Sequence, residues 1–321
     1  MEKLELGQTA AEYIEAQIAD IKKQAKGGKI LLGLSGGVDS SVCAALISKA
    51  VGKQLTCVFV DHGLMRYNEG DEIVAAFKDW DINLIRVDAE KRFLTKLKGV
   101  TDPEKKRKII GAEFVRVFEE EAAKVKADYL AQGTIYPDIK ESGGKDKPVI
   151  KSHHNVGGLP DDLKFKGIIE PLKALYKKDV RAVGRALGAS NILIDRQPFP
   201  GPGLGIRVLG ELTKKSLDCL RLADHIYRNE IANAKIDSTV DQYFAVLTPI
   251  KTVGIKNGQR TYDNVLVLRA VTTGDFMNAD FARIPYELLA KISQRITTEV
   301  DGIGRVVYDI TSKPPGTIEW E

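Results

Sequence analysis

A chain of 321 residues, 43% of them apolar and 29% charged, is longer than one ordinary domain and predicts two, each with its own core. A formal net charge of +4 is too small to argue for a nucleic-acid partner, and the three scattered cysteines (Cys43, Cys57, Cys219) form no C-x-x-C pair, which excludes a zinc ribbon and a dithiol redox site. The polar amino terminus MEKLELGQTAAEY has no signal-peptide core, and no apolar run approaches the ~20 residues of a membrane helix. The expectation is a soluble cytoplasmic protein with neither a membrane nor a nucleic-acid partner.

Residues 9–25 set Ile14, Ile18 and Ile21 on one helical face. Lys29–Leu34 (KILLGL) is a short apolar run, the mark of a strand buried on both faces of a parallel sheet. A glycine-rich turn follows, then a helix with Val42, Ala45, Leu46 and Ala50 on one side. Leu55–Val60 and Ile82–Val87 read as the next strands, Asp128–Gln132 and Asn191–Ile194 as two more. Helical patterns lie between them around Glu69–Lys78, Glu104–Lys126 and Lys177–Leu187. This alternation predicts an α/β fold, a doubly wound parallel sheet with ligands at the carboxyl ends of its strands.

Gln197–Gly205 (QPFPGPGLG) holds three prolines and three glycines and continues neither helix nor central strand, so the domain boundary is expected there: 1–200, then 201–321. The second part reads as a smaller α+β domain. It has a helix near Thr213–Ala234, strands at Gln242–Pro249 and Tyr262–Val271, a helix from Pro285 to Val300 and a strand at Arg305–Ile310. The run Val265–Leu268 either lines its core or forms an edge.

The sharpest local signal is Ser35-Gly36-Gly37-Val38-Asp39-Ser40-Ser41, where a buried strand hands over to a helix. Glycines let backbone approach a ligand, and the free N–H groups and dipole of a helix start favour an anion. The hydroxyls of Ser35, Ser40 and Ser41 add donors for phosphate oxygens, while Asp39 suits Mg²⁺ because a bare carboxylate repels phosphate. The competing reading is a capped turn in which Ser and Asp merely satisfy helix amides. The loop is neither a Walker A motif nor a G-x-G-x-x-G fingerprint.

The string resembles the PP-loop of ATP-pyrophosphatases. That resemblance implies a grip on the β,γ-pyrophosphate through Ser35–Ser41, an exposed α-phosphorus and AMP-forming chemistry, with Val60, at the end of the second strand, beside the adenine. Among the PP-loop families, the segments 105–111 (KKRKIIG), 131–138 (AQGTIYPD), 150–160 (IKSHHNVGGLP), 198–204 (PFPGPGL) and 313–321 (KPPGTIEWE) are similar to GMP synthetases, in order and over essentially the whole chain. The resemblance implies a carbon–nitrogen ligase of purine biosynthesis. The oxygen at C2 of XMP attacks ATP, pyrophosphate leaves, and ammonia displaces AMP to give GMP.

The family implies further roles. Lys151, His153 and His154 would meet the polyphosphate from a lid over 138–154, to which Asp138 and Glu141 add contacts; the plain alternative is a solvated loop. Asp39 with Mg²⁺ and Lys151 would be the catalytic groups. Arg107, Gln242, Arg305, Lys313, Ile318 and Glu319 would hold XMP, with Lys313 on its phosphate and Glu319 on the xanthine N–H groups; Arg107 is chosen because a planar fork suits phosphate, and the cluster Lys105–Lys108 reads alternatively as an exposed helix face. Trp320 alternatively just anchors the end of the chain. A homodimer through the second domain is the family expectation. No amidotransferase domain precedes the first helix here, so ammonia is expected free, from a separate glutamine amidotransferase subunit, or from the rest of a longer chain. The rivals are another amidating PP-loop enzyme such as NAD synthetase, and an ATP-binding regulatory subunit.

Overall fold

The computed structural model describes residues 3–141, 165–256, 258–274 and 277–321. In chain order its elements are α1 (Ala10–Ala25), β1 (Ile30–Gly33), α2 (Val38–Val51), β2 (Leu55–Asp61), α3 (Glu69–Ala76), β3 (Asn83–Asp88), α4 (Glu90–Leu97), α5 (Pro103–Val125), β4 (Tyr129–Ala131), α6 (Tyr136–Glu141), β5 (Gly167–Ile169), α7 (Lys177–Ala186), α8 (Asn191–Ile194), α9 (Lys214–Asn233), β6 (Gln242–Lys256), β7 (Gln259–Thr272), β8 (Asp280–Phe281), α10 (Tyr286–Glu299) and β9 (Ile303–Asp309). Two compact units form. The first takes Met1–His62, Glu69–Ala89 and Gly111–Gly201; the second takes Gly63–Asn68, Glu90–Ile110 and Pro202–Glu321.

The first unit is built on a five-stranded sheet of order β3-β2-β1-β4-β5, every pairing parallel. Ile30, Leu31 and Leu32 of β1 are fully buried, as an unbroken apolar run requires when helices cover both faces. α2 is buried almost all round, from Val42 through Ile47, which explains its small and apolar residues. α1 opens with a capping box: the Thr9 hydroxyl accepts from the Glu12 amide at 3.3 Å, and the Glu12 carboxylate accepts from the Thr9 amide at 2.7 Å. The strand order reverses between β1 and β4, so the loops leaving their carboxyl ends frame the switch-point crevice of a doubly wound sheet.

Two local expectations need correction. Asn191–Ile194 is a helical turn, and the fifth strand is Gly167–Ile169 instead. Three apolar residues after an asparagine carry no period, and here Leu193 and Ile194 bury against helices, with Ile194 seated over Gly184 of α7. Residues 138–141 belong to α6 and not to an aperiodic loop, Pro137 occupying the first turn where its missing N–H is harmless. α4 had no sequence forecast, being a two-turn element with only Phe93 and Leu97 buried.

The second unit sets α9 and α10 against a four-stranded sheet in which β6 pairs antiparallel with β7, β7 antiparallel with β8 and parallel with β9. β7 is therefore central. Its run Val265–Leu268 lies in the interior, which resolves the choice between core and edge. A core cluster joins Phe244, Val246, Val267, Val271 and Ala279 to Ile318 of the carboxyl-terminal tail. β6 runs to Lys256, past the expected end at Pro249, because its outer half exposes Ile250, Val253 and Ile255 and has no inward face to produce alternation.

Candidate functional site

β1 ends at Gly33, the amide of Leu34 still donating to Val58 O at 2.8 Å, and the chain then turns sharply into α2. Gly36 sits at φ +74°, where a side chain is strained, and an added Cβ would collide with Ile73. Gly37 is the N-cap of α2 and offers no side chain to the helix amides. The hydroxyls instead tie the loop to itself: Ser35 Oγ lies 3.0 Å from Ser40 Oγ, and Ser40 Oγ donates to Gly37 O at 3.0 Å.

Among the described residues, two buried oxygens at this junction have no hydrogen-bond partner, Asp39 Oδ1 and Ser41 Oγ. Buried polar atoms are nearly always paired, so two such oxygens at a helix start without a side-chain cap make this junction the candidate site for a polar ligand. The other oxygen of Asp39 accepts from Lys177 Nζ at 2.6 Å. Lys177 is half-exposed, so that pair adds little stability; its consequence is a cation beside the loop. Gly133, just after β4, is pressed on the same junction, where a Cβ would stand 3.1 Å from Ser40 N and 3.2 Å from the carbonyl carbon of Asp39. Arg196 donates to Gly36 O and to the buried carboxylate of Glu69, which fixes the outer side of the turn. Ser35–Ser41 thus gather with Lys177, Gly133 and Arg196.

Val60 is buried in β2, one residue before its end. The Oδ2 of Asp138 accepts from the Ile135 amide at 3.1 Å at the start of α6, and Glu141 closes that helix. Lys151, His153 and His154 lie outside the described residues.

The second gathering lies wholly within the second unit, around the tail. Glu319 accepts from Arg207 Nε at 3.1 Å and Nη2 at 2.8 Å, and from Gln242 Nε2 at 3.2 Å. Glu321 accepts from Lys106 Nζ at 2.6 Å through its side chain and from Arg107 through its backbone carbonyl. Arg269 donates to Thr311 O at 2.6 Å and Thr317 O at 3.2 Å. Lys313 exchanges backbone hydrogen bonds with Ala279 at 2.7 and 2.9 Å. Ile318 sits in the core cluster, so Ile318 is the apolar anchor, while Trp320 is 42% exposed and donates Nε1 to Asp309 Oδ2 at 3.0 Å. A cavity of about 520 Å³ opens beside these groups, lined by Val307, Asp309, Thr311, Gly316, Glu319 and Trp320 among others. Arg305 is exposed on β9, on the strand face shared by Val307 and Asp309. Burial pushes the Asp309 carboxyl upward, but hydrogen bonds from Thr311, the Arg269 charge and the Trp320 N–H outweigh it, leaving its pKa below the usual carboxylate range.

Sequence reasoning missed Lys177, Gly133 and Arg196 at the first gathering and Lys106, Arg207 and Arg269 at the second. A signal existed for the two arginines: each interrupts an apolar run (GIRVLG, LVLRAV), and an arginine there must find internal partners. Lys177 opens a helix of ordinary surface composition and gave none.

The sheet order, the glycine-serine-aspartate loop after β1 and a match of residues 10–107 to the NAD synthase family define the first unit as a PP-loop domain. Residues 229–320 match the GMP synthase C-terminal domain family. The chain is 64% identical to a glutamine-hydrolyzing GMP synthase of Finegoldia magna over 98% of its own length and 62% of that protein's. Identity is also 64% to one from Treponema denticola (96% and 59%), and 58% to one from Clostridium perfringens (99% and 63%). It carries the GMP synthase C-terminal domain and corresponds, over nearly all its length, to the C-terminal part of GMP synthases, of which it spans about three-fifths. Among solved structures, the NMN synthetase of Francisella tularensis aligns at 16% identity and TM-score 0.46, over 61% of this chain and 78% of that one. The NH3-dependent NAD synthetase of Campylobacter jejuni aligns at 14% and 0.44, over 73% and 89%.

Proposed function

We propose that the chain makes GMP from XMP, ATP and ammonia by adenylating the C2 oxygen of XMP. The observation that carries the reading is the start of α2: a helix N-terminus without a side-chain cap, with Asp39 Oδ1 and Ser41 Oγ buried and, among the described residues, unpaired, at the switch point of the sheet, in a chain whose relatives are GMP synthases. Backbone amides there would hold the β- and γ-phosphates, with the hydroxyls of Ser35, Ser40 and Ser41 alongside.

The residues fit a magnesium ion carried in with ATP. Among the described residues no group of three His, Cys, Asp or Glu side chains could hold a metal alone, and Mg²⁺ typically binds through one or two carboxylates plus substrate phosphates. Asp39, through its unpaired oxygen, is the residue that would hold it. When bound, the ion supplies charge neutralisation at the departing pyrophosphate. The chain's own groups do the rest. Lys177 adds positive charge beside the loop, and Arg196 keeps the Gly36 peptide oriented.

On XMP, the C2 carbonyl is urea-like and a poor electrophile. Its oxygen attacks the α-phosphorus and pyrophosphate leaves; ammonia then adds at C2, and AMP departs with the former C2 oxygen. Catalysis is positioning plus preorganised charge, with no covalent nucleophile on the protein. Arg107, Gln242, Arg305, Lys313, Ile318 and Glu319 are proposed to hold XMP, with Lys313 on its phosphate and Glu319 on the ring N–H groups. The outer half of the β6–β7 hairpin, exposing Val253, Ile255 and Tyr262, is proposed as the homodimer contact, and a glutamine amidotransferase domain or subunit as the ammonia source.

The test is incubation with XMP, ATP, Mg²⁺ and ammonium chloride. GMP, AMP and pyrophosphate in equal amounts are expected. ADP with phosphate would overturn adenylation, and turnover of deamido-NAD in place of XMP would overturn the substrate.

A further inference from the structure

Residues 309–321 are held by more buried charge than anchoring them requires, and Arg207 holds Glu319. Lys106, Arg207 and Arg269 have fully buried side chains, and all three direct donors to residues between 309 and 321. Buried ion pairs are poor sources of stability, since desolvation offsets their attraction, whereas Ile318 in the core already holds the tail. What a planar fork provides is orientation. Arg207 meets both oxygens of Glu319, and its guanidinium lies 3.9 Å above the Phe244 ring, so the arginine is itself fixed by stacking. Gln242 adds a third donor. Glu319 meanwhile keeps an open side toward the 520 Å³ cavity.

We infer that Arg207 is a positioning residue for purine recognition: it presets Glu319 as an oriented anionic acceptor on the cavity wall. A carboxylate so held selects a purine whose six-membered ring offers N–H donors, as the dioxo ring of XMP does. It repels rings such as that of AMP, which present a nitrogen lone pair at N1 and N3. The inference rests on the XMP reading and extends it to a residue that does not itself touch the ligand.

The experiment uses the full chain and calorimetric Kd values for XMP and for ATP, with steady-state KM values for both. Arg207→Lys keeps the charge but loses the fork; it is expected to weaken XMP by about tenfold or more while ATP stays within about twofold. Glu319→Gln is expected to weaken XMP similarly. The double variant Arg207→Lys/Glu319→Gln should be no weaker than Glu319→Gln alone by more than about twofold, because the arginine acts through that carboxylate. If Arg207→Lys does not fold, Phe244→Leu, which removes the stacking ring, should weaken XMP several-fold and spare ATP. XMP binding unchanged by either folded variant, equal losses for XMP and ATP, or multiplying losses in the double variant would overturn the inference. A wild-type chain that binds no XMP at all would instead sink the functional reading on which it stands.

Discussion

Asp39 gives one oxygen to a lysine and leaves the other unpaired among the described residues, and that division decides what its replacement should do. Asp39→Asn keeps the shape but removes the charge. XMP-dependent pyrophosphate release should fall by about 10²-fold or more with an unchanged circular dichroism spectrum, the size of effect typical for one preorganised electrostatic group. Activity within a factor of two of wild type would contradict the assignment. Gly133 is a subtler probe, because no reacting group resides there. Gly133→Ala drives a Cβ to 3.1 Å from Ser40 N, so the loop must yield by a few tenths of an ångström. ATP affinity should fall by about tenfold with little loss of thermal stability, a small displacement in a preorganised site being costly to binding and not to folding. Asp309 gives a pH prediction. Its folded pKa is lowered, so the stability it contributes is present above the ordinary carboxylate pKa and is lost as pH falls through the lowered folded value. Fluorescence of Trp320, its hydrogen-bond partner, read in a Trp80→Phe background, should report release of the tail only in acid, and Asp309→Asn should abolish that acid transition.

At the scale of elements, what the sequence made legible is what has periodicity or punctuation. Lys29–Leu34 and Leu55–Val60 announce buried parallel strands because Ile30–Leu32 and Cys57–Val60 are unbroken apolar runs, and the glycine pair after the first marks the turn. Thr213 and Ser216 close a capping box on α9, with the Ser216 amide donating to Thr213 Oγ1 at 3.0 Å and the Thr213 amide to Ser216 Oγ at 2.9 Å. Thr213→Ala should destabilise the protein by about 1 kcal/mol, read as a Tm drop of a few degrees. Elements too short for a period were illegible. Asn191–Ile194, expected as a strand, is a helical turn, and the strand Gly167–Ile169 had no forecast, because so few apolar residues fit a turn and a strand equally. The first gathering was half legible: its own loop is contiguous in sequence, but Lys177 and Arg196 reach it from positions 138 and 160 residues away from their partners, and only the fold brings them there. At the second, Glu319 was expected only through the family resemblance of the tail, and its holder Arg207, 112 residues away in sequence, was not foreseen.

At the scale of the whole molecule, each unit has its own sheet and core, and the chemistry assigned to each differs: phosphates at the α2 start, a purine at the tail of the second unit. The reaction proposed above would use both ligands. Under that proposal these 321 residues should form GMP from XMP and ATP with ammonium as the nitrogen source, read as GMP by chromatography. The central claim, that the C2 oxygen of XMP attacks the α-phosphorus of ATP, has one direct readout: the fate of ¹⁸O placed at C2 of XMP. The account predicts that mass spectrometry will find the label in AMP, one atom per GMP formed; label in inorganic phosphate or in water would contradict it.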